Sequence, residues 1–98
     1  MADCGQLVIP DPAQKDPKSL EVVRAWIADG GLHVSLRPDV WSDVGTWGIL
    51  LADLARHVAN SFEQQKGLDR ATTLKRIKAL VDAELSSPTD EPSGRIID

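Results

Sequence analysis

Tyrosine is absent from this 98-residue chain, and phenylalanine, cysteine and methionine occur once each. A single cysteine, Cys4, excludes an intrachain disulfide and any cysteine-based zinc site. Basic residues are outnumbered, with 11 Lys and Arg against 15 Asp and Glu and a net charge of −4. That balance lacks the clustered cationic footprint phosphate contacts require, so nucleic acid is not an expected partner. The densest basic segment, Arg70, Lys75, Arg76 and Lys78, is interleaved with Asp69, Asp82 and Glu84 and reads as a solvated helix face. No apolar run approaches a membrane span, and the first residues lack the positive and apolar regions of a secretory signal. The expectation is a soluble cytoplasmic protein with no membrane partner.

What is present suits one small domain. Hydrophobic residues make up 42% of the chain and charged residues 27%, a globular composition. Residues 1–15 read as an N-terminal arm, 16–86 as a single globular domain, and the polar 87–98, with Pro88, Pro92 and Gly94, as a disordered tail. Asp16-Pro17 has the form of an N-cap followed by Pro at the first helical position, and Leu20, Val23 and Ile27 recur at helical spacing. A helix over 17–29 is the expectation, stopped by Gly30 or Gly31. The alternating run 32–37 then predicts an amphipathic strand.

That strand has only Leu7-Val8-Ile9 as an internal candidate partner, and Pro10 ends that segment at once. Unpaired strand edges must be satisfied, so pairing across a homodimer axis through Leu32, Val34 and Leu36 is the leading expectation. A long helix begins near Ser42 or Asp43 and runs to Lys66, with Gly67 ending it. Asp69 caps a last helix over 70–85. The fold class expected is α+β, mostly helical, in the order helix, strand, long helix, helix, with a short antiparallel sheet completed across the dimer.

On the long helix the 3.6-residue period gathers Trp47, Leu50, Leu51, Leu54, Val58 and Phe62 on one face, the expected core side. Gly45, Gly48, Ala52, Ala55 and Ala59 gather on another. A stripe of small residues admits a close backbone, either helix 70–85 of the same chain or the two-fold mate, with Gly48 and Ala52 as interface candidates.

No motif specifies a reaction. His33, Ser35 and Arg37 share one strand face and carry the groups that bind an anion. Asp53 and His57 stand four apart on the long helix, a spacing that orients an imidazole or supplies two ligands of a metal. Each set has a plainer reading: a wet sheet face, and an i,i+3 ion pair of Asp53 with Arg56 beside a surface histidine. No catalytic residue, metal site or cofactor is assigned. Trp26, Trp41 and Trp47 read as packing anchors. The function expected is a homodimeric protein-interaction or regulatory module. The alternative is a small anionic-ligand or metal-binding protein or enzyme using His33, Ser35 and Arg37 or Asp53 and His57.

The block Val23-Arg24-Ala25-Trp26-Ile27-Ala28-Asp29-Gly30-Gly31-Leu32-His33-Val34-Ser35-Leu36-Arg37 is followed by Trp41 and by Trp47-Gly48-Ile49-Leu50-Leu51-Ala52-Asp53-Leu54-Ala55-Arg56-His57-Val58. Together these resemble a small bacterial family of uncharacterised proteins, domain of unknown function 5076, over about residues 18–85. The resemblance implies stand-alone proteins of about this length, with no activity, cofactor or catalytic residue to carry over.

Overall fold

Asp29 and Gly30 decide the first part of the chain. Both have positive φ, 52° and 75°, and they separate Ala28 from its cross-strand partner Gly31. A two-residue loop with φ > 0 at both positions is a type I′ turn, whose twist matches that of the strands it joins. The flanking residues therefore form a hairpin of β1 (Val23–Ala28) and β2 (Gly31–Leu36). Its antiparallel register runs from Val23 opposite Leu36 to Ala28 opposite Gly31. Beyond the last pair, the Arg37 amide donates to the Val22 carbonyl at 3.0 Å.

The helix expected over 17–29 is thus replaced by a turn and a strand. Val22, Val23 and Ile27 are β-branched and Trp26 is aromatic, all residues that favour a pleated surface. Asp16 does not cap a helix: its carboxylate accepts from the Lys18 amide at 2.9 Å and its carbonyl from the Ser19 amide at 3.0 Å. This is an Asx-type turn with Pro17 inside it. Within the chain β2 is accordingly partnered by β1 and not by Leu7-Val8-Ile9. The orphan-strand argument for a homodimer loses its premise.

The computed structural model describes residues 5–87 and 95–96. These form two compact units divided after Pro38, the first comprising residues 5–38 with 95–96, the second residues 39–87. In the first unit a short helix, α1 (Asp11–Lys15), precedes the hairpin. The Ser19 hydroxyl donates to the Ala13 carbonyl at 2.6 Å, fastening the turn to α1. A two-residue strand, β3 (Arg95–Ile96), runs parallel to β2, with Arg95 opposite Ser35 and Ile96 opposite Leu36. Within the expected disordered tail, 95–96 are thus strand, while 88–94 and 97–98 lie outside the described residues.

The second unit is a helical hairpin of α2 (Thr46–Lys66) and α3 (Arg70–Ser86). α2 starts later than Ser42 or Asp43 because Asp43 closes a turn, accepting from the Gly45 amide at 2.9 Å. Gly67, in the left-handed region, ends it. The Asp69 carboxylate caps α3 by accepting from the amide and hydroxyl of Thr72, at 2.9 and 2.7 Å. Arg70 reinforces the corner by donating to the Asn60 side chain at 3.2 Å.

α3 is the element packed on α2, and it divides the small-residue stripe. Ala59 is buried and Ala55 half-buried, so this end serves the neighbouring helix of the same chain. Gly48 and Ala52 are exposed, and a side chain at Gly48 would meet nothing within 4 Å. The large-residue face is not the core face expected of it: Leu51 and Leu54 are 60% and 55% exposed, and Val58 and Phe62 are also exposed. Trp47 instead meets Trp41 edge to face, with centroids 5.1 Å apart. With helices and a small antiparallel sheet in one chain, the fold is α+β.

Candidate functional site

Successive residues of a strand leave on opposite faces, and the register of the hairpin sorts its two faces by chemistry. Val23, Ala25 and Ile27 stand opposite Leu36, Val34 and Leu32, an entirely apolar set. Arg24 and Trp26 stand opposite Ser35 and His33, and Arg37 continues that face beyond the ladder. Three residues read from β2 alone, His33, Ser35 and Arg37, therefore share one side as expected, and β1 adds an arginine and a tryptophan to it.

Hydrogen bonds divide this face in two. At the turn end, His33 Nε2 lies 3.0 Å from the Ala28 carbonyl oxygen, which occupies one nitrogen of the ring. At the open end, Arg37 Nε donates to the Glu21 carbonyl at 3.0 Å. Arg24 Nε donates to the Glu21 carboxylate at 3.1 Å, and its guanidinium carbon sits 5.7 Å from the Trp26 ring centre. Glu21 thus organises both arginines, one through its backbone and one through its side chain. Between 21–24 and 35–37 lies an open depression of 320 Å³. Glu21, Arg24 and Trp26 were not legible as site residues because a helix over 17–29 does not pair them with the strand that carries His33, Ser35 and Arg37. The signal that places them is Asp29-Gly30 between two alternating runs.

The family described as "Domain of unknown function (DUF5076)" matches residues 6–89. The chain belongs to this family. This chain is also similar to a solved structure from the photosynthetic bacterium Rhodopseudomonas palustrus CGA009, provisionally described as a pyruvate dehydrogenase. Identity is 33%, the TM-score is 0.73, and the match covers 95% of each chain. No curated protein matches.

The second candidate pair of this DUF5076 protein, Asp53 and His57, lies on α2 in the other unit. Asp53 accepts from Arg56 Nη1 at 3.3 Å, the i,i+3 pair the spacing allowed. His57 is exposed. Among the described residues no three of His, Cys, Asp and Glu gather as a metal site requires. No described helix is long and apolar enough to cross a membrane. Of the interface candidates, Leu32, Gly48 and Ala52 are exposed, and Val34 and Leu36 are half-buried.

Proposed function

We propose that this DUF5076 protein is a cytoplasmic homodimeric module that acts through protein interaction or regulation, its core completed by a second copy. One observation carries the reading: Ala59 is the only buried residue among those described, while Ile27 is 89% exposed and the α2 face of Leu51, Leu54, Val58 and Phe62 lies open. A chain of this size normally withdraws roughly 60–70% of its unfolded surface from water. Large apolar side chains gathered on one helix face and one sheet face are the mark of an interaction surface.

The magnitudes favour a modest association. Burying the remaining exposed area of those four α2 residues on both protomers contributes on the order of 10 kcal/mol. Association costs about 4–15 kcal/mol in lost freedom. At the low end of that cost the balance is about −6 kcal/mol, a dissociation constant of tens of micromolar, so the test is sedimentation velocity from about 1 to about 100 μM. The expected result is a dimer that dissociates on dilution, and that Leu54→Glu converts to a folded monomer. A wild-type monomer throughout that range refutes the reading.

The provisional description of the R. palustrus protein supports a second reading, an enzyme or binding protein for a small carboxylate, with Ser35 and Arg37 as the groups that favour it. Acid–base chemistry needs a positioned proton-transfer group. Among the described residues neither histidine is hydrogen-bonded to a carboxylate: His33 meets the Ala28 carbonyl and Asp53 is turned to Arg56. The assembly reading is therefore the stronger.

A further inference from the structure

We propose that the open end of the hairpin binds a small organic monocarboxylate between Arg37, Ser35 and Arg24, a site that rests on the small-carboxylate reading and not on the assembly reading. Arg37 is held twice. Its amide donates to the Val22 carbonyl, and its Nε donates to the Glu21 carbonyl at 3.0 Å. The side chain is thereby fixed at Nε, and its terminal Nη groups have no partner among the described residues. A guanidinium fixed in this way presents two parallel donors, the arrangement a planar carboxylate accepts in bidentate fashion. Prior fixing also reduces the ordering cost of binding.

Ser35 lies on the same face, half-buried, and its hydroxyl has no hydrogen-bond partner among the described residues. Directly across the ladder is Arg24. Directly opposed side chains in an antiparallel pair begin about 5 Å apart at Cβ, and Arg24 and Ser35 both line the same depression, within reach of one small anion. The Glu21 carboxylate neutralises one of the two guanidiniums, which leaves the site suited to a single negative charge.

The 320 Å³ depression is larger than a bare inorganic ion needs. Val22, which follows the alternation onto the same face as Arg24, lines it with the polar residues, a combination that suits an anionic head with a short hydrocarbon body. The site differs from the set read from β2 alone: His33, engaged with Ala28 at the turn, is outside it, and Arg24 replaces it.

The test is titration of the isotope-labelled full-length chain with sodium propionate, followed by amide and side-chain NMR shifts. Inorganic phosphate and sodium chloride at matched ionic strength are separate arms. Propionate is expected to shift the Ser35 and Arg37 signals saturably, with phosphate weaker and chloride without saturation. Arg37→Gln and Ser35→Ala are each expected to weaken binding, the former about tenfold or more as a charge-assisted pair is lost. His33→Gln is expected to leave it unchanged. Cross-strand amides of Ala25 and Val34 report whether the hairpin is intact. Arg37→Lys, which keeps the charge and removes the fork, is expected to bind more weakly than the wild type. Linear shifts shared with chloride, binding that survives Arg37→Gln and Arg37→Lys, or phosphate saturating at lower concentration than propionate would each overturn the proposal.

Discussion

Gly30→Ala tests the element on which the hairpin depends. Gly30 has φ of +75°, where an L-residue carries a Cβ penalty of about 1–2 kcal/mol. A Cβ built there meets nothing within 4 Å, so no steric clash adds to the backbone penalty. Alanine also narrows the unfolded ensemble, which offsets about 0.4–1 kcal/mol. The net expectation is a loss of about 1 kcal/mol, which for a chain of this size lowers Tm by about 4–8 °C. Thermal unfolding followed by tryptophan fluorescence and by circular dichroism measures it at fixed protein concentration. Asp29→Asn supplies the opposite sign, because Asn-Gly is the favoured type I′ pair and Asp29 itself has φ of 52°. Its stability should match or exceed that of the wild type. If Gly30→Ala is neutral or stabilising, position 30 does not lie in the left-handed region and the turn is not type I′.

Gly48→Ala is expected to act in the other direction. The position lies in the first turn of α2 with open space around it, so alanine should raise stability by up to about 1 kcal/mol; lower stability measured at a dilution where the chain is monomeric would contradict this. The cap of α3 predicts a pH dependence. The side-chain hydrogen bond from Thr72, followed by the bond from its backbone amide, holds the Asp69 carboxyl below its ordinary value. A lowered carboxyl pKa in the folded state stabilises the chain above the ordinary carboxylate range, and this contribution is lost as pH falls through the lowered value. The Thr72 amide signal should therefore titrate below the ordinary carboxylate range, and Asp69→Asn, which keeps a capping oxygen, should abolish that titration. A midpoint at or above the ordinary range refutes the cap.

α2 and α3 were legible because their signals are local, whereas α1, five residues inside the expected N-terminal arm, was not. Gly67 and Asp69 supply a left-handed stop and a side-chain cap within three residues of one another, and the apolar periods of α2 and α3 exceed four turns. β2 was legible through its alternation. β1 was not, because its competing signals were also local: Asp16-Pro17 resembles a helix start, and Leu20, Val23 and Ile27 fall at helical spacing. The ladder to β2 overrides that spacing, since it satisfies the backbone of both strands at once. Asp29-Gly30 was the discriminating pair, and reading it first would have supplied Arg24 and Trp26 to the site together with β1. The faces of α2 were sorted correctly by period, but period alone does not say which face is covered. Ala59 lies under α3, whereas Leu51 and Leu54 lie open.

The hairpin is divided in a way that bears on both proposals. Its apolar residues, among them Ile27 and Leu32, 89% and 57% exposed, project from the side of the sheet opposite Arg24, Ser35 and Arg37. A protomer seated on the apolar side would leave the cationic side in water, so assembly and anion binding would use separate surfaces rather than compete for one. β1 is the outer strand of the three-stranded order β1-β2-β3, and that edge is the exception. Pairing of β1 with a second β1 about a two-fold axis would bring two copies of Arg24 near that axis and raise the positive potential at both sites. In that geometry propionate binding and dimerisation become thermodynamically linked, and each must tighten the other by the same factor. In face-to-face assembly the two equilibria are independent. Measuring the dimer dissociation constant with and without saturating propionate thus separates edge pairing from face packing.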